Sequence, residues 1–141
     1  MNISNTAHFI MQSKGGAGKS VCSALLAQYL NEKTDGNLSL IDTDPSNKTL
    51  GSYSALNVQM IDVIDKKSKV VDQSKFDGFM NEFIEHNKTM LVDTGSGDFL
   101  AINNYIHDNG IADIFEEMGK QLVIHCPINY GQASIETVRC L

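Results

Sequence analysis

The feature that most restricts the fold is a glycine-rich segment near the N-terminus, Lys14-Gly15-Gly16-Ala17-Gly18-Lys19-Ser20. A short apolar run at residues 8–12 precedes this segment, and a helix-like stretch at 20–31 follows it. Glycines let the backbone curl with its N–H groups turned inward, and the start of the next helix adds partial positive charge. The pattern therefore predicts a strand, an anion-binding loop and a helix in that order.

The spacing of this loop is a variant of the common phosphate-loop motif. The strict pattern G-x-x-x-x-G-K-[ST] requires glycine at its first position, where this chain has Ser13. The match is instead to K-G-G-x-G-K-[ST], which adds Lys14. In this reading Lys19 lies against the β- and γ-phosphates of a nucleotide, and the Ser20 hydroxyl holds Mg²⁺. The alternative is a glycine-rich turn that only connects strand to helix. The residues predicted to contact nucleotide are Gly15, Gly16, Ala17, Gly18, Lys19, Ser20 and Val21.

Acidic side chains end two further apolar runs. Asp42 closes the run at residues 38–42 and is followed by Asp44, while Asp93 closes the run at 89–93. The carboxyl ends of parallel strands meet at one edge of a sheet, so these acids are expected beside the phosphate loop. An apolar strand ending in aspartate is also the pattern that holds a Mg²⁺-bound water, the role expected of Asp93. The alternative for Asp42 and Asp44 is that they cap a helix or stabilise a turn. The alternative for Asp93 is that it only ends a strand before a glycine turn.

The alternation of short apolar runs with longer amphipathic segments predicts the fold class. It indicates an α/β protein with a mostly parallel sheet and helices on both faces, a three-layer α/β/α arrangement of the P-loop NTPase type. Strands are predicted at 8–12, 38–42, 57–61, 89–93 and 121–126, and helices at 20–31, 75–86, 99–107, 111–118 and from 132 onward.

The composition limits the cellular location and the kinds of ligand that we expect for this chain. The chain has 141 residues, and its net charge of −6 argues against strong binding of its own to nucleic acid or anionic membranes. Its three cysteines form no CxxC pair, which disfavours a disulfide framework or a zinc site. No apolar run reaches the length of a membrane span. We therefore expect a cytoplasmic protein without a membrane segment, for which any contact with DNA is indirect.

The loop with its additional Lys14 resembles that of the ParA/MinD family of ATPases. The resemblance implies ATP and Mg²⁺ as ligands and a homodimer that forms when nucleotide is bound. It also implies that Lys14 reaches across the dimer to the partner's phosphates, that Asp42 lies near Mg²⁺, and that Asp44 positions the attacking water. Residues 94–97 would be the second switch segment. The family more often has a proline in that segment, and this chain has none.

Longer stretches of the chain are similar to the conjugal-transfer TraL proteins, which are ParA-like ATPases of conjugative plasmids and integrative elements. This resemblance implies a dimerising ATPase switch that works with components of conjugative transfer or partition. Because domains of the ParA family are longer, residues 1–141 are expected to be the N-terminal portion of a single nucleotide-binding domain whose C-terminal part is absent. The matching stretches are residues 42–49, 51–56, 75–77, 117–125 and 131–133.

Two other functions are compatible with the same motifs. One is a metabolic ligase or kinase of the dethiobiotin synthetase type, which would need a defined pocket for an acceptor molecule. The other is a non-catalytic scaffold that senses nucleotide. Lys14 and Asp44 argue against the second alternative, because both have expected roles in hydrolysis rather than in binding.

Overall fold

The computed structural model describes residues 3–44, 50–65, 67–68, 70–130 and 134–139. Residues 45–49 and 131–133, which carry part of the resemblances above, lie outside these ranges. The strands are β1 (Thr6–Ile10), β2 (Leu38–Asp42), β3 (Val58–Met60), β4 (Thr89–Asp93) and β5 (Gln121–His125). The helices are α1 (Lys19–Lys33), α2 (Gln73–Glu85), α3 (Phe99–Asp108), α4 (Ile111–Glu117) and α5 (Ser134–Arg139).

The five strands form one sheet in the order β3-β2-β4-β1-β5, and every pairing is parallel. Strands β2 and β4 pair in register from Leu38 opposite Thr89 to Asp42 opposite Asp93. The predicted α/β class with a parallel sheet is therefore confirmed. The register also brings the last residues of two separate strands, both aspartates, next to each other at the carboxyl edge of the sheet.

Helices cover the two faces of the sheet separately. Alternate residues of a strand point to opposite faces, and in β1 Phe9 packs into the cluster formed with α2, α3 and α4, whereas Ile10 packs into the cluster formed with α1. The predicted three-layer arrangement is confirmed. Among the described residues, no helix combines the length and the apolar character needed to cross a bilayer.

Helix α1 packs against the sheet through a different face than its apolar residues suggest. Ala27 and Leu30 are buried as core residues, but Val21 is 61% and Leu25 is 65% exposed. The buried side also contains Ser23 and Ala24. Small side chains on that side let the helix approach the sheet closely, which leaves the larger apolar side chains on the outside. The position of α1 is therefore set by its small residues.

The first strand ends earlier than predicted. Strand β1 stops at Ile10, whereas the sequence pattern extended it to Gln12. Gln12 is fully buried, and its side chain donates to the carbonyl of Pro127 at 3.2 Å and accepts from the N–H of Lys14 at 3.3 Å. The amide side chain thus replaces strand pairing at this point, and it ties the start of the glycine-rich loop to the segment that follows β5.

Candidate functional site

The glycine-rich loop adopts a curled backbone between β1 and α1. Gly16 has φ of 73° and Gly18 has φ of 88°, a left-handed conformation that side chains other than glycine rarely adopt. Gly18 occupies the N-cap of α1 without a side-chain cap, and its carbonyl accepts the Cys22 N–H at 2.9 Å. The first N–H groups of a helix have no partner within the helix. The loop therefore provides backbone donors and the positive end of the α1 dipole.

The loop and the strand ends enclose one polar cavity of about 490 Å³. All seven residues predicted to contact nucleotide line it, together with the three predicted acids. Lys14 is half-buried in the loop but is not among the lining residues. The lining residues are Gly15, Gly16, Ala17, Gly18, Lys19, Ser20, Val21, Asp42, Asp44, Asp93, Thr94 and Ser96.

Hydrogen bonds made by two threonines connect the ends of the strands that line the cavity. The Thr94 hydroxyl donates to the carbonyl of Ile10 at 2.8 Å, which links the end of β4 to β1. The Thr43 N–H donates to the carbonyl of Asp93 at 3.0 Å, which links the end of β2 to β4. Both threonines are almost fully buried. The edge of the sheet that presents the acids is thus held by hydrogen bonds beyond the regular strand pairing.

Lys19 contributes a positively charged side chain to the cavity. Its side chain is mostly buried, and its ammonium group donates to the Ser96 hydroxyl at 2.5 Å. Burial lowers the pKa of Lys19, and the carboxylates of Asp93, Asp44 and Asp98 act in the opposite direction. The cavity therefore brings a mostly buried ammonium group close to three carboxyl groups.

Asp42 is buried with only part of its hydrogen-bonding capacity used. The N–H of Asp44 donates to its Oδ1 at 2.9 Å, while its Oδ2 is buried without a hydrogen-bond partner among the described residues. Burial raises the pKa of Asp42 to about 6, with the Asp44 N–H opposing the shift and the Asp93 carboxylate adding to it. An unpaired buried carboxylate oxygen destabilises the fold, so Asp42 is a candidate for a functional role.

Asp93, at the end of the neighbouring strand β4, is also buried with only part of its hydrogen-bonding capacity used. It is 3% exposed, and its Oδ1 also lacks a hydrogen-bond partner within the described part of the chain. Burial raises its pKa, against the influence of the Ser23 and Ser20 hydroxyls and of Lys19. Divalent cations such as Mg²⁺ prefer oxygen ligands and charge neutralisation by carboxylates. The two buried acids and the hydroxyl of Ser20 therefore fit a magnesium ion.

The loop after β4 contributes Ser96, which lies in the predicted second switch segment, and Asp98, which no sequence motif singled out. Ser96 contacts Lys19, and Asp98 approaches the cavity from the start of α3. A Cβ at Gly95 would lie 2.6 Å from Asp98 Oδ2 and 3.2 Å from Asp44 Oδ2. Residue 95 therefore has to be glycine for these two carboxylates to keep their positions. Neither contact is visible in the sequence, because both depend on how the loop folds back over the strand ends.

A histidine pair links β1 to the edge strand β5. His8 Nδ1 lies 3.0 Å from His125 Nε2, and the two rings stack with centroids 5.2 Å apart. The sequence indicated no partner for His8, because the contact depends on the register between strands that are far apart in the chain. Burial and, to a smaller extent, the neighbouring His125 together lower the pKa of His8 to about 4.

The depressed pKa of His8 predicts a loss of stability in mild acid. The unfolded chain takes up the proton near pH 6.5 and the folded chain only near 4, so acidification favours unfolding across that interval. We expect the stability of the wild-type protein relative to His8→Asn to fall by about 2 kcal/mol between pH 7 and pH 5. Chemical denaturation at both pH values measures this difference. A difference in stability between wild type and His8→Asn that is the same at both pH values would contradict the prediction.

The fold and the cavity define an α/β protein with an all-parallel sheet and a glycine-rich loop at its carboxyl edge, a class in which this edge binds the ligand. Comparison with known proteins adds a specific similarity. The chain is similar to two proteins of Escherichia coli, each described as Protein TraL. Each is 34% identical over 131 residues, which cover 93% of this chain and 53% of the relative.

The chain thus spans about half the length of the curated relatives it matches. No protein-family model matches the sequence. No solved structure matches it either. The similarity extends over nearly the whole chain and agrees with the resemblance inferred from its sequence segments.

Proposed function

We propose that this chain is the phosphate-binding part of an ATPase of the ParA/MinD kind, which hydrolyses ATP to ADP and phosphate. In this proposal ATP joins two copies of the protein and hydrolysis separates them. The observation that carries the proposal is the cavity, in which a curled glycine loop, a buried lysine and three acids at the carboxyl ends of β2 and β4 meet. A ligase or kinase of the dethiobiotin synthetase type would need a pocket for its acceptor in addition to these groups, and a passive scaffold would not need Asp44 to orient water.

The expected roles follow from the positions of the side chains. Backbone N–H groups of the loop and the Lys19 ammonium would hold the terminal phosphates. Ser20, Asp42 and Asp93 would hold Mg²⁺, which neutralises charge on the phosphates when bound. Asp44 lines the same cavity and would orient the attacking water. Each of these residues acts by placing charge and reactants, the main requirement for phosphoryl transfer.

The similarity to the TraL proteins supports the biological setting of the proposal. We infer a role in conjugative transfer of DNA, in the cytoplasm and alongside components of the transfer or partition machinery. The net charge of −6 argues against strong direct binding to DNA. We therefore place DNA among the indirect partners, reached through other proteins.

The experiment that tests the function combines nucleotide binding with product analysis. Purified protein is mixed with Mg²⁺ and ATP labelled at the γ-phosphate, and free phosphate is separated from labelled acceptors. We expect phosphate release to water, and an increase in thermal stability on addition of Mg²⁺-ATP. Labelled phosphate on a small-molecule acceptor would favour a ligase or kinase instead. If the protein neither binds nor hydrolyses ATP, the proposal is wrong.

Substitution of Lys19 supplies the site-specific test. We expect Lys19→Ala to weaken the affinity for Mg²⁺-ATP by about a hundredfold, because a charged hydrogen-bond donor to the phosphates is lost. The matched control is Lys33→Ala, which removes a half-exposed lysine from the last turn of the same helix. Titration with a fluorescent ATP analogue compares the two variants. Equal affinities would show that the cavity is not the nucleotide site.

A further inference from the structure

The side chain of Gln12 connects the glycine-rich loop to the segment that follows β5. Its Nε2 donates to the carbonyl of Pro127 at 3.2 Å, and its Oε1 accepts from the N–H of Lys14 at 3.3 Å. Because one planar amide group makes both hydrogen bonds, the place of the Lys14 peptide depends on the place of the chain at Pro127.

Gln12 is fully buried, which is uncommon for a glutamine. An apolar side chain of the same length, such as methionine, would fill the space without removing an amide group from water. The nitrogen and the oxygen of the amide both have partners within the protein, as burial of such a group requires. A buried polar group that is hydrogen-bonded in this way favours a single local geometry. Gln12 therefore suits a position where the direction of the chain matters.

The chain leaves the sheet at this glutamine. Just before it, the backbone still pairs with a neighbouring strand, because the N–H of Met11 donates to the carbonyl of His125 at 2.9 Å. The side chain of Gln12 extends this attachment beyond the strand, to the peptide of Lys14 at the entrance of the loop. Lys14 is not among the residues that line the cavity of its own chain. The Gln12 amide thus holds the part of the loop from which the Lys14 side chain leaves the backbone.

We propose that Gln12 is a positioning residue for Lys14, which sets the direction in which the loop presents that lysine. The inference rests on the proposed function, in which Lys14 acts on the phosphates held by a second copy of the protein. Gln12 is itself absent from the lining of the cavity. Loss of its hydrogen bonds should therefore slow the step that needs Lys14 and leave the binding of nucleotide nearly unchanged.

The test replaces the amide by an apolar side chain of equal length. Gln12→Met should hydrolyse Mg²⁺-ATP about a hundredfold more slowly than wild type, the loss expected when a catalytic group is displaced by about 1 Å. Its affinity for a fluorescent ATP analogue with Mg²⁺ should stay within about threefold of wild type. The matched control is Gln28→Met, which alters an exposed glutamine of α1 that donates to the carbonyl of Ala24 at 3.1 Å. This control should match wild type in both measurements.

A double variant shows whether Gln12 acts through Lys14. In Lys14→Ala the side chain to be positioned is gone, so the addition of Gln12→Met should lower the rate of hydrolysis by less than about threefold. A further loss as large as the one measured in the wild-type background would mean that the two residues act independently. That result would overturn the inference.

Gln12→Glu separates positioning from stability. It keeps an oxygen that can accept the Lys14 N–H but buries a carboxylate, so it should be less stable than Gln12→Met in chemical denaturation and yet hydrolyse ATP faster. If Gln12→Glu is both the less stable and the slower variant, Gln12 only supports the fold and the inference is wrong. Equal rates for wild type and Gln12→Met would overturn this inference alone. A wild type that neither binds nor hydrolyses ATP would contradict the proposed function as well.

Discussion

Lys14→Ala is expected to bind Mg²⁺-ATP with nearly unchanged affinity and to hydrolyse it about a thousandfold more slowly, the range seen for charges supplied by a partner subunit. Lys14 belongs to the glycine-rich loop but is absent from the residues that line the cavity of its own chain. A residue that acts on its own nucleotide would be expected there. Its place at the entrance of the loop suits contact with the nucleotide of a second copy.

Mixing two inactive variants tests action across the dimer directly. In a mixed dimer, Asp44→Asn contributes an intact Lys14 to the nucleotide held by Lys14→Ala, whose own Asp44 is intact. We expect the mixture to regain a readily measured part of wild-type hydrolysis, in proportion to the mixed dimers formed. Lys33→Ala mixed with Lys14→Ala shows the rate expected when one partner is fully active. A Lys14→Ala mixture with Asp44→Asn that dimerises but stays inactive would show that Lys14 does not act in trans.

Asp42→Asn is expected to stabilise the protein in the absence of divalent cations. Burial raises the pKa of Asp42 from 3.8 to about 6, so the ionised carboxylate destabilises the folded state at neutral pH. The amide can still accept the Asp44 N–H through its oxygen. We expect the free energy of unfolding at pH 7.5 in EDTA to rise by about 3 kcal/mol.

The pH dependence supplies the check on this second prediction. The destabilisation of wild type by ionised Asp42 should decrease as the pH falls through 6 and disappear below 3.8. The free energies of unfolding of wild type and Asp42→Asn should therefore become equal near pH 4. Asp65→Asn is a control of opposite sign, because hydrogen bonds from Ser68 lower the pKa of that exposed carboxyl group. Asp42→Asn should also lose the stabilisation that Mg²⁺-ATP gives to wild type. If Asp42→Asn is no more stable than wild type in EDTA, burial of the ionised carboxylate does not destabilise the fold and the prediction is wrong.

The parts of the fold that follow from local patterns were predictable. Apolar runs ending in acids gave the positions of β2 and β4, and the glycine spacing gave the start of α1 within one residue. The convergence of Asp42, Asp93 and the loop followed from parallel topology alone, since strand ends share an edge. These features depend on neighbouring residues or on a single rule of chain connection.

The features that escaped prediction depend on contacts between distant segments. The early end of β1 reflects the hydrogen bonds of the Gln12 side chain to Pro127 and Lys14. The exposure of Leu25 follows from the packing of the small residues of α1 on the sheet. The approach of Asp98 required the folded geometry of the loop at Gly95. None of these contacts has a signature in spacing or composition.

The hydrogen bond from Lys19 to Ser96 joins elements on opposite sides of the sheet. Lys19 begins α1, which covers one face, and Ser96 lies just before α3, which covers the other. Under the proposed function, a phosphate that accepts a hydrogen bond from the Lys19 ammonium group would replace this contact between the two sides of the sheet. A partner protein bound to α3 would then respond to an occupied cavity without contacting the nucleotide.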